Sequence, residues 1–424
     1  MIREELIFVA TCDISGHVRG KGFPARELGS RLHKGVGWTG SNLMMSPQGP
    51  IWDTPFGTAG DLMIVPDRKA EVRVDFGDDS AVEHFFLGDI CTTDGAPWEC
   101  CPREFLRRAA RELESAAGLQ AIAAFEQEFL YTGTEERPGD AYALGAFRRQ
   151  GLFGEAFVAA LREAGVPPDT FLAEYGARQF EVTVAPAPAL VAADRAVVTR
   201  EMARAAAHRL GHRAVFTPKP DAQGVGNGVH IHMSLCDASG HPATYLEGAP
   251  LGLSEPAQHF FAGVLHHLPA IAAVTAPSPV SYLRLVPDRW APTRIDIVEQ
   301  DRGASLRICP VFAAESASEK ARAFNVEFRA CDAAASPYLA LAAVIFAGAD
   351  GIRRSLPLPE NRENPPSLPG KLEEALDRLE ASEEARGWFG AAHLEAYLRF
   401  KRVEASKVAA LSPAELCAHY AEIY

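Results

Sequence analysis

The residues with the most chemical promise in this chain come in pairs, two positions apart. Glu126 and Glu128 lie in FEQEF, His230 and His232 in NGVHIHMSL, and Glu327 and Arg329 in NVEFRACD. In an extended strand, residues i and i+2 point to the same side. Each pair therefore offers two polar groups to one face, while Phe125, Gln127, Phe129, Ile231 and Met233 take the other. EYGARQFE adds Glu174, just before a turn at Gly176, and Glu181 on a second strand. If these strands share one sheet, five carboxylates (126, 128, 174, 181 and 327) converge on an imidazole. Crowded in a low-dielectric site they repel one another strongly unless cations sit among them. A donor set dominated by oxygen, with one imidazole, suits Mg²⁺ or Mn²⁺ better than zinc. Arg284, Arg302 and Arg307 add guanidinium forks that match phosphate and carboxylate oxygens. Gly224, Gly226 and Gly228 sit immediately before the histidine strand, where they let a ligand approach the main chain closely. Divalent ions among arginines are what phosphoryl transfer requires.

Residues 1 to about 95 read as strand-rich, with candidate strands at 5–11, 62–66, 69–76 and 85–92 between turns of Gly, Asp and Pro. Residues 35–42 (GVGWTGSN) and 46–60 read as loops. A boundary falls at 93–103, giving an N-terminal domain of 1–97 and a C-terminal domain of 98–424. Helix 102–117 carries Phe105, Leu106, Ala109 and Leu113 at helical spacing. Strand 120–132 follows, then the two acid-bearing strands of 170–186. A helix over 192–211 is expected to have Asp194 as its N-cap and Gly211 as its C-cap. Further helices are expected at about 255–274, 334–354, 369–380, 383–404 and 412–422, with a proline-rich linker at 357–369.

Composition limits the possible partners. At 424 residues and 47% apolar content the chain can bury a large core. Its net charge of −13 argues against a nucleic acid or an anionic membrane as the principal partner. The eight cysteines include no CxxC pair, which points to reduced thiols in a cytoplasm rather than a disulfide framework. The opening MIREELIFVATCD lacks signal-peptide character, and the longest apolar segment, 338–349, is too short to span a bilayer.

Eight ordered motifs together resemble the glutamine synthetases and their amide-forming relatives over nearly the whole chain: GDLMIVPD, FEQEF, EYGARQFE, FTPKP, NGVHIHMSL, YLRLVP, DRGASLRI and VEFRACDAAASPYLALAA. The resemblance implies an α+β fold, with an N-terminal β-grasp domain and a C-terminal catalytic domain whose curved antiparallel sheet is flanked by helices. It also implies a homo-oligomer of stacked rings, a dodecamer, with active sites between subunits. The implied chemistry has two steps. ATP phosphorylates the γ-carboxylate of glutamate, and an amine then displaces the phosphate. Mg²⁺ or Mn²⁺ serves, at two or three ions per site. Carried over position by position, Glu128, Glu174 and Glu181 resemble the ligands of the first metal, and Glu126, His230 and Glu327 those of the second. His232 and Ser234 resemble nucleotide contacts. Arg302, Arg307 and Arg322 would neutralise phosphate, Arg284 and Arg329 would hold the α-carboxylate of glutamate, and Gly226 would offer its carbonyl to the amino group.

The departures matter as much as the matches. Where the family's ammonia-using members place an acidic pair that binds ammonium and takes its proton, this chain has Thr39 and Trp290. Ammonium resists desolvation without charge or acceptors, whereas tryptophan offers an apolar wall and a cation–π gain of roughly 0.5–2 kcal/mol. The resemblance thus points to an organic amine, and best to a weakly basic one. The alternatives are that Asp53 or Asp288 replaces the lost pair and ammonia is used, or that a non-catalytic relative keeps the fold. Val225 stands where the family usually has Asn, and Asn325 where Arg is common. The linker 357–369 contains no tyrosine, so regulation by adenylylation is not expected.

Overall fold

A computed structural model describes residues 2–287, 289–359 and 364–424. Its first 92 residues build a five-stranded sheet from β1 (Leu6–Cys12), β2 (Val18–Pro24), β3 (Val36–Thr39), β4 (Asp61–Val74) and β5 (Glu83–Thr92), in the order β2-β1-β5-β4-β3. Helix α1 (Leu28–Lys34) packs on β4. Three expectations are corrected here. The segment 62–76 forms one strand rather than two, because an irregularity between Pro66 and Glu71 absorbs the break while pairing with β5 continues. GVGWTGSN is not a loop throughout: Val36 and Trp38 turn inward opposite Ile64 and Leu62, and only then does the chain enter a 3-10 turn, at Gly40–Met44. Strand β2 was not anticipated, since in VRGKGFP only Phe23 is buried.

From Pro102 onward the strands are β6 (Leu119–Tyr131), β7 (Pro168–Ala173), β8 (Gln179–Val184), β9 (Ala187–Pro188), β10 (Ala214–Val215), β11 (Val229–Asp237), β12 (Arg294–Glu299), β13 (Ala304–Ile308) and β14 (Val326–Phe328). They form one sheet in the order β12-β13-β14-β11-β6-β8-β7, with β9 and β10 also pairing with β6. All pairings are antiparallel except that of β12 with β13. The fold is α+β. The helices are α2 (Pro102–Ala117), α3 (Leu144–Arg149), α4 (Leu152–Glu163), α5 (Ala189–Arg209), α6 (Glu255–Thr275), α7 (Ser281–Arg284), α8 (Ala317–Ala323), α9 (Pro337–Arg353), α10 (Leu372–Ala381), α11 (Glu383–Phe389), α12 (Ala391–Val408) and α13 (Pro413–Ile423). Among the described residues no helix is long and apolar enough to cross a membrane.

Helix α2 matches its predicted bounds. Pro102 suits the first turn, Gly118 ends the helix at φ 65°, and the four predicted apolar residues are buried. The helix at 192–211 begins earlier than expected, at Ala189, so Asp194 lies inside it and is not the cap. Its carboxylate turns instead to Arg103 and Tyr338. Gly390, at φ 77°, divides the expected 383–404 helix into α11 and α12. Helices α2 and α5 pack on β6, and α9 packs against both of them and against α6. On the sheet face towards α5, Ala123, Phe125 and Phe129 are buried with Gln127, which accepts from Arg200 Nε at 2.7 Å and donates to the Ala196 carbonyl at 3.0 Å. Ile122, Ala124, Glu126 and Glu128 are left on the open face.

His393 on α12 is fully buried between Phe105 and Phe389, and neither ring nitrogen has a partner. Burial, with a smaller contribution from Arg108, pushes its pKa down to about 3. A group depressed in the folded state contributes stability that is present above its unfolded pKa and is lost as pH falls through the folded one. The native state should lose about 2–3 kcal/mol through this group between pH 7 and pH 4.5. His393→Phe should flatten that part of the stability–pH profile. Urea unfolding of both proteins at the two pH values checks it, and parallel losses would refute it.

Candidate active site

Cross-strand register brings the polar pairs together. His230 lies opposite Glu126, His232 opposite Glu327, Glu128 opposite Glu181, and Arg307 opposite Glu327. Five adjacent strands, β13, β14, β11, β6 and β8, thus deliver charged groups to one face. Glu128, Glu174 and Glu181 form one cluster whose oxygens lie within 4.8 Å of one another. Glu126, His232 and Glu327 form a second by the same measure. His230 borders the second cluster, with Nδ1 at 2.6 Å from Glu126 Oε1 and 3.4 Å from Glu327 Oε1. His232 Nε2 is 3.5 Å from Glu126 Oε2, is buried, and has no hydrogen-bond partner. Both imidazoles therefore face Glu126.

The electrostatics of these groups call for positive charge. Burial, reinforced by Glu174 and Glu126, pushes Glu128 up to about 8 despite a 2.6 Å bond from the Gly228 amide. Burial and then the charges of Glu126, Glu128 and Glu174 push Glu181 up to about 10. Without cations these acids would be protonated at neutral pH, so the first cluster fits a hard divalent ion with oxygen ligands. Glu327 differs. Burial opposes its ionisation, but His230, Arg329 and His232 outweigh burial and hold its pKa below the ordinary value.

Two cavities meet at these clusters. One, of about 200 Å³, is lined by Glu128, Glu174, Glu181, Gly226, Arg284, Trp290, Arg302 and Arg329 among others. The other, of about 460 Å³, is lined by Glu126, Glu181, His232, Ser234, Arg322 and Asn325 along with apolar Ile122, Val184 and Phe324. Most of the predicted residues are thereby brought together. Arg302 is exposed in the first cavity and makes no side-chain hydrogen bond among the described residues. Arg307 donates to Glu327 at 2.8 Å. Arg329 is nearly buried, donating to Glu327, to the Arg302 carbonyl at 3.1 Å and to the Trp290 carbonyl at 3.2 Å. Arg284 donates to the carbonyls of Cys331 and Arg329, at 2.6 and 3.3 Å, while its buried Nε stays unpartnered. Gly226 admits no side chain, since a Cβ there would lie 2.4 Å from Arg284 Cγ. Thr39, on β3, does not line either cavity of its own chain. Nor does Asp53, which lies 3.6 Å from Arg399. Asp288 lies outside the described residues.

Sequence reasoning missed Gln179. Its Nε2 lies 2.9 Å from the Gly226 carbonyl, 2.8 Å from Asn227 Oδ1 and 3.3 Å from Glu128 Oε2, and its Oε1 accepts from the Gly176 amide at 2.7 Å. One amide thus ties the glycine loop, the 174–179 turn and β6 together. The signal was its place in EYGARQFE, two residues before Glu181 and therefore on the same face of β8. Tyr142 and Tyr175 also line the first cavity near Trp290. They sit in irregular segments where no periodicity could single them out.

A sheet that gathers carboxylates, imidazoles and arginines between two joined cavities defines a site for metal-assisted phosphoryl chemistry on a carboxylate substrate. The chain belongs to the glutamine synthetase family: residues 99–419 match the family description "Glutamine synthetase, catalytic domain" and residues 2–98 "Glutamine synthetase N-terminal domain". Among relatives, it is 36% identical over 375 residues to the gamma-glutamylpolyamine synthetase GlnA3 of Streptomyces coelicolor, covering 85% of this chain and 78% of that protein. It is 30% identical to a glutamine synthetase of Methanococcus maripaludis, with 92% and 90% covered. Among solved structures, one described as a novel glutamine synthase homolog superposes with a TM-score of 0.94 at 42% identity, over 100% of this chain and 99% of that one. A GmaS/ADP complex superposes at 0.83 and 27% identity, over 96% and 95%.

Proposed function

We propose that this chain is an ATP-dependent ligase that joins an organic amine to the γ-carboxylate of glutamate through a γ-glutamyl phosphate. Family membership implies use of ATP and a divalent metal. Glu128, Glu174 and Glu181 would hold one ion, and Glu126 and Glu327 with an imidazole another. Bound there, Mg²⁺ or Mn²⁺ would neutralise phosphate charge. His232, Ser234 and Arg322 line the larger cavity, as nucleotide contacts should. Arg302 and Arg307 would supply cations for the transferred phosphate charge, and Arg284, with an unused buried donor, suits the substrate α-carboxylate. The Gly226 carbonyl, already bonded to Gln179, keeps a lone pair for the amino group. Thr39 would act from a neighbouring subunit of a ring-shaped homo-oligomer.

The observation that carries the choice of an amine over ammonia is Trp290. It lies on the wall of the smaller cavity, 68% exposed, with Tyr142 and Tyr175 lining the same space. Among the described residues, every acid lining that cavity belongs to the carboxylate cluster, and none of them stands apart to desolvate ammonium. Steady-state phosphate release with ammonia and with a panel of amines tests this reading. Turnover should favour organic amines, and a clear preference for ammonia would end it. Trp290→Ala should raise KM for bulky amines by roughly 3- to 30-fold, the equivalent of one lost aromatic contact, with a smaller change for methylamine. An unaltered amine profile would remove Trp290 from the acceptor wall.

A further inference from the structure

The smaller cavity carries an unequal set of charges. Among the described residues its acids are Glu128, Glu174 and Glu181, and all three belong to one carboxylate cluster. Four arginines stand against them. Arg284 and Arg329 are buried and bonded to main-chain carbonyls, Arg329 to Glu327 as well. Arg289 is different: it is only partly buried, it adjoins Trp290 in the chain, and its Nη1 donates to the Gln223 carbonyl at 2.7 Å. That bond fixes a positive charge between the glycine loop and the acceptor wall. Exposed Arg302 adds another in the same cavity.

If the three carboxylates hold a divalent ion, no lining anion among the described residues is left to receive a second ammonium group. A polyamine brings at least one ammonium besides the nitrogen that reacts. On leaving water, that remote charge needs an anionic partner, and here it would meet guanidinium instead. Resting on the ligase reading above, we propose that Arg289 is a specificity-determining residue that excludes polyamines and restricts the acceptor to amines whose tail is uncharged or anionic. This separates the chain from the Streptomyces relative, whose name specifies a polyamine.

Three amines of matched length test it: n-butylamine, putrescine and 4-aminobutyrate, compared by kcat/KM for phosphate release at saturating Mg·ATP and glutamate. The wild-type protein should favour butylamine over putrescine by at least ~10-fold, the scale of one close like-charge contact, and should rank 4-aminobutyrate above putrescine. Arg289→Gln should narrow the butylamine-to-putrescine ratio severalfold, and Arg289→Lys, which keeps the charge, should preserve it. Because the readout is a ratio, partial misfolding of a variant does not move it. A wild-type preference for putrescine, or a ratio unmoved by Arg289→Gln, overturns this inference alone. No turnover with any amine overturns it together with the ligase reading.

Discussion

Glu327→Gln should lower amine-dependent phosphate release by at least about 10³-fold, roughly 4 kcal/mol of barrier, while the protein stays folded. Glu327 is 1% exposed and lies at the meeting point of three strands: across from His232 on β11, across from Arg307 on β13, and two residues before Arg329, which follows the end of its own strand β14. Like Glu126, it has its pKa held below the ordinary value despite burial, because cationic neighbours compensate it. A glutamine keeps the shape and one carbonyl acceptor but removes the charge, so the second cluster would lose one of its two carboxylates and Arg307 and Arg329 their common partner. Alanine is the poorer test, because it leaves two guanidinium groups facing a void and should cost about 3–5 kcal/mol of stability. Turnover and Mn²⁺ binding by calorimetry, with circular dichroism to confirm folding, check the expectation. Weakened metal binding should accompany the lost activity. Near-wild-type turnover at unchanged Mg²⁺ would remove Glu327 from the proposed ion-holding set.

Much of this site was legible because strands impose a period of two. FEQEF, VHIHM and VEFR each show the alternation directly, and an antiparallel sheet needs only register to bring such faces together. The register itself was not legible, since it depends on which strands become neighbours, and it is what draws both His230 and His232 to Glu126. Residues outside periodic segments were harder to find. Tyr142 sits at φ 54° in an irregular stretch, and Gln179 acts through three acceptors that meet only after folding. In the N-terminal sheet, β2 exposes most of VRGKGFP because it is an edge strand, so the apolar alternation that would betray it is missing. Asp194 resembled a helix cap because acids favour that position, but a buried arginine elsewhere in the chain was a stronger partner than its own helix amides.

That arginine supports the second large expectation: Arg103→Met should destabilise the first unfolding transition by about 3–5 kcal/mol. Arg103, at the start of α2, is 1% exposed at its side chain and holds three carboxylates. It makes a paired contact with Asp194 on α5, at 2.8 and 3.1 Å, and reaches Asp89 on β5 at 2.9 Å and Asp67 on β4 at 3.0 Å. Tyr338 on α9 donates to the same Asp194 at 2.6 Å. One guanidinium thus joins the N-terminal sheet to the helices behind the site-bearing sheet. Burial works against its charge, but Asp194 and its other partners outweigh burial and raise its pKa well above the usual value. Methionine would fill the volume and leave Asp67 and Asp89 with Arg107, but Asp194 with only a tyrosine hydroxyl. Adding Asp194→Asn should therefore recover about 1–2 kcal/mol, because the penalty lies in an orphaned buried charge more than in lost attraction. Urea titration of the two single variants and the double variant measures the coupling. Additive losses would mean that the two residues act independently. If they couple as expected, the segment 93–101 between the two sheets should become the first site of proteolytic cleavage in Arg103→Met, because the contact that closes the two sheets on each other there has been removed.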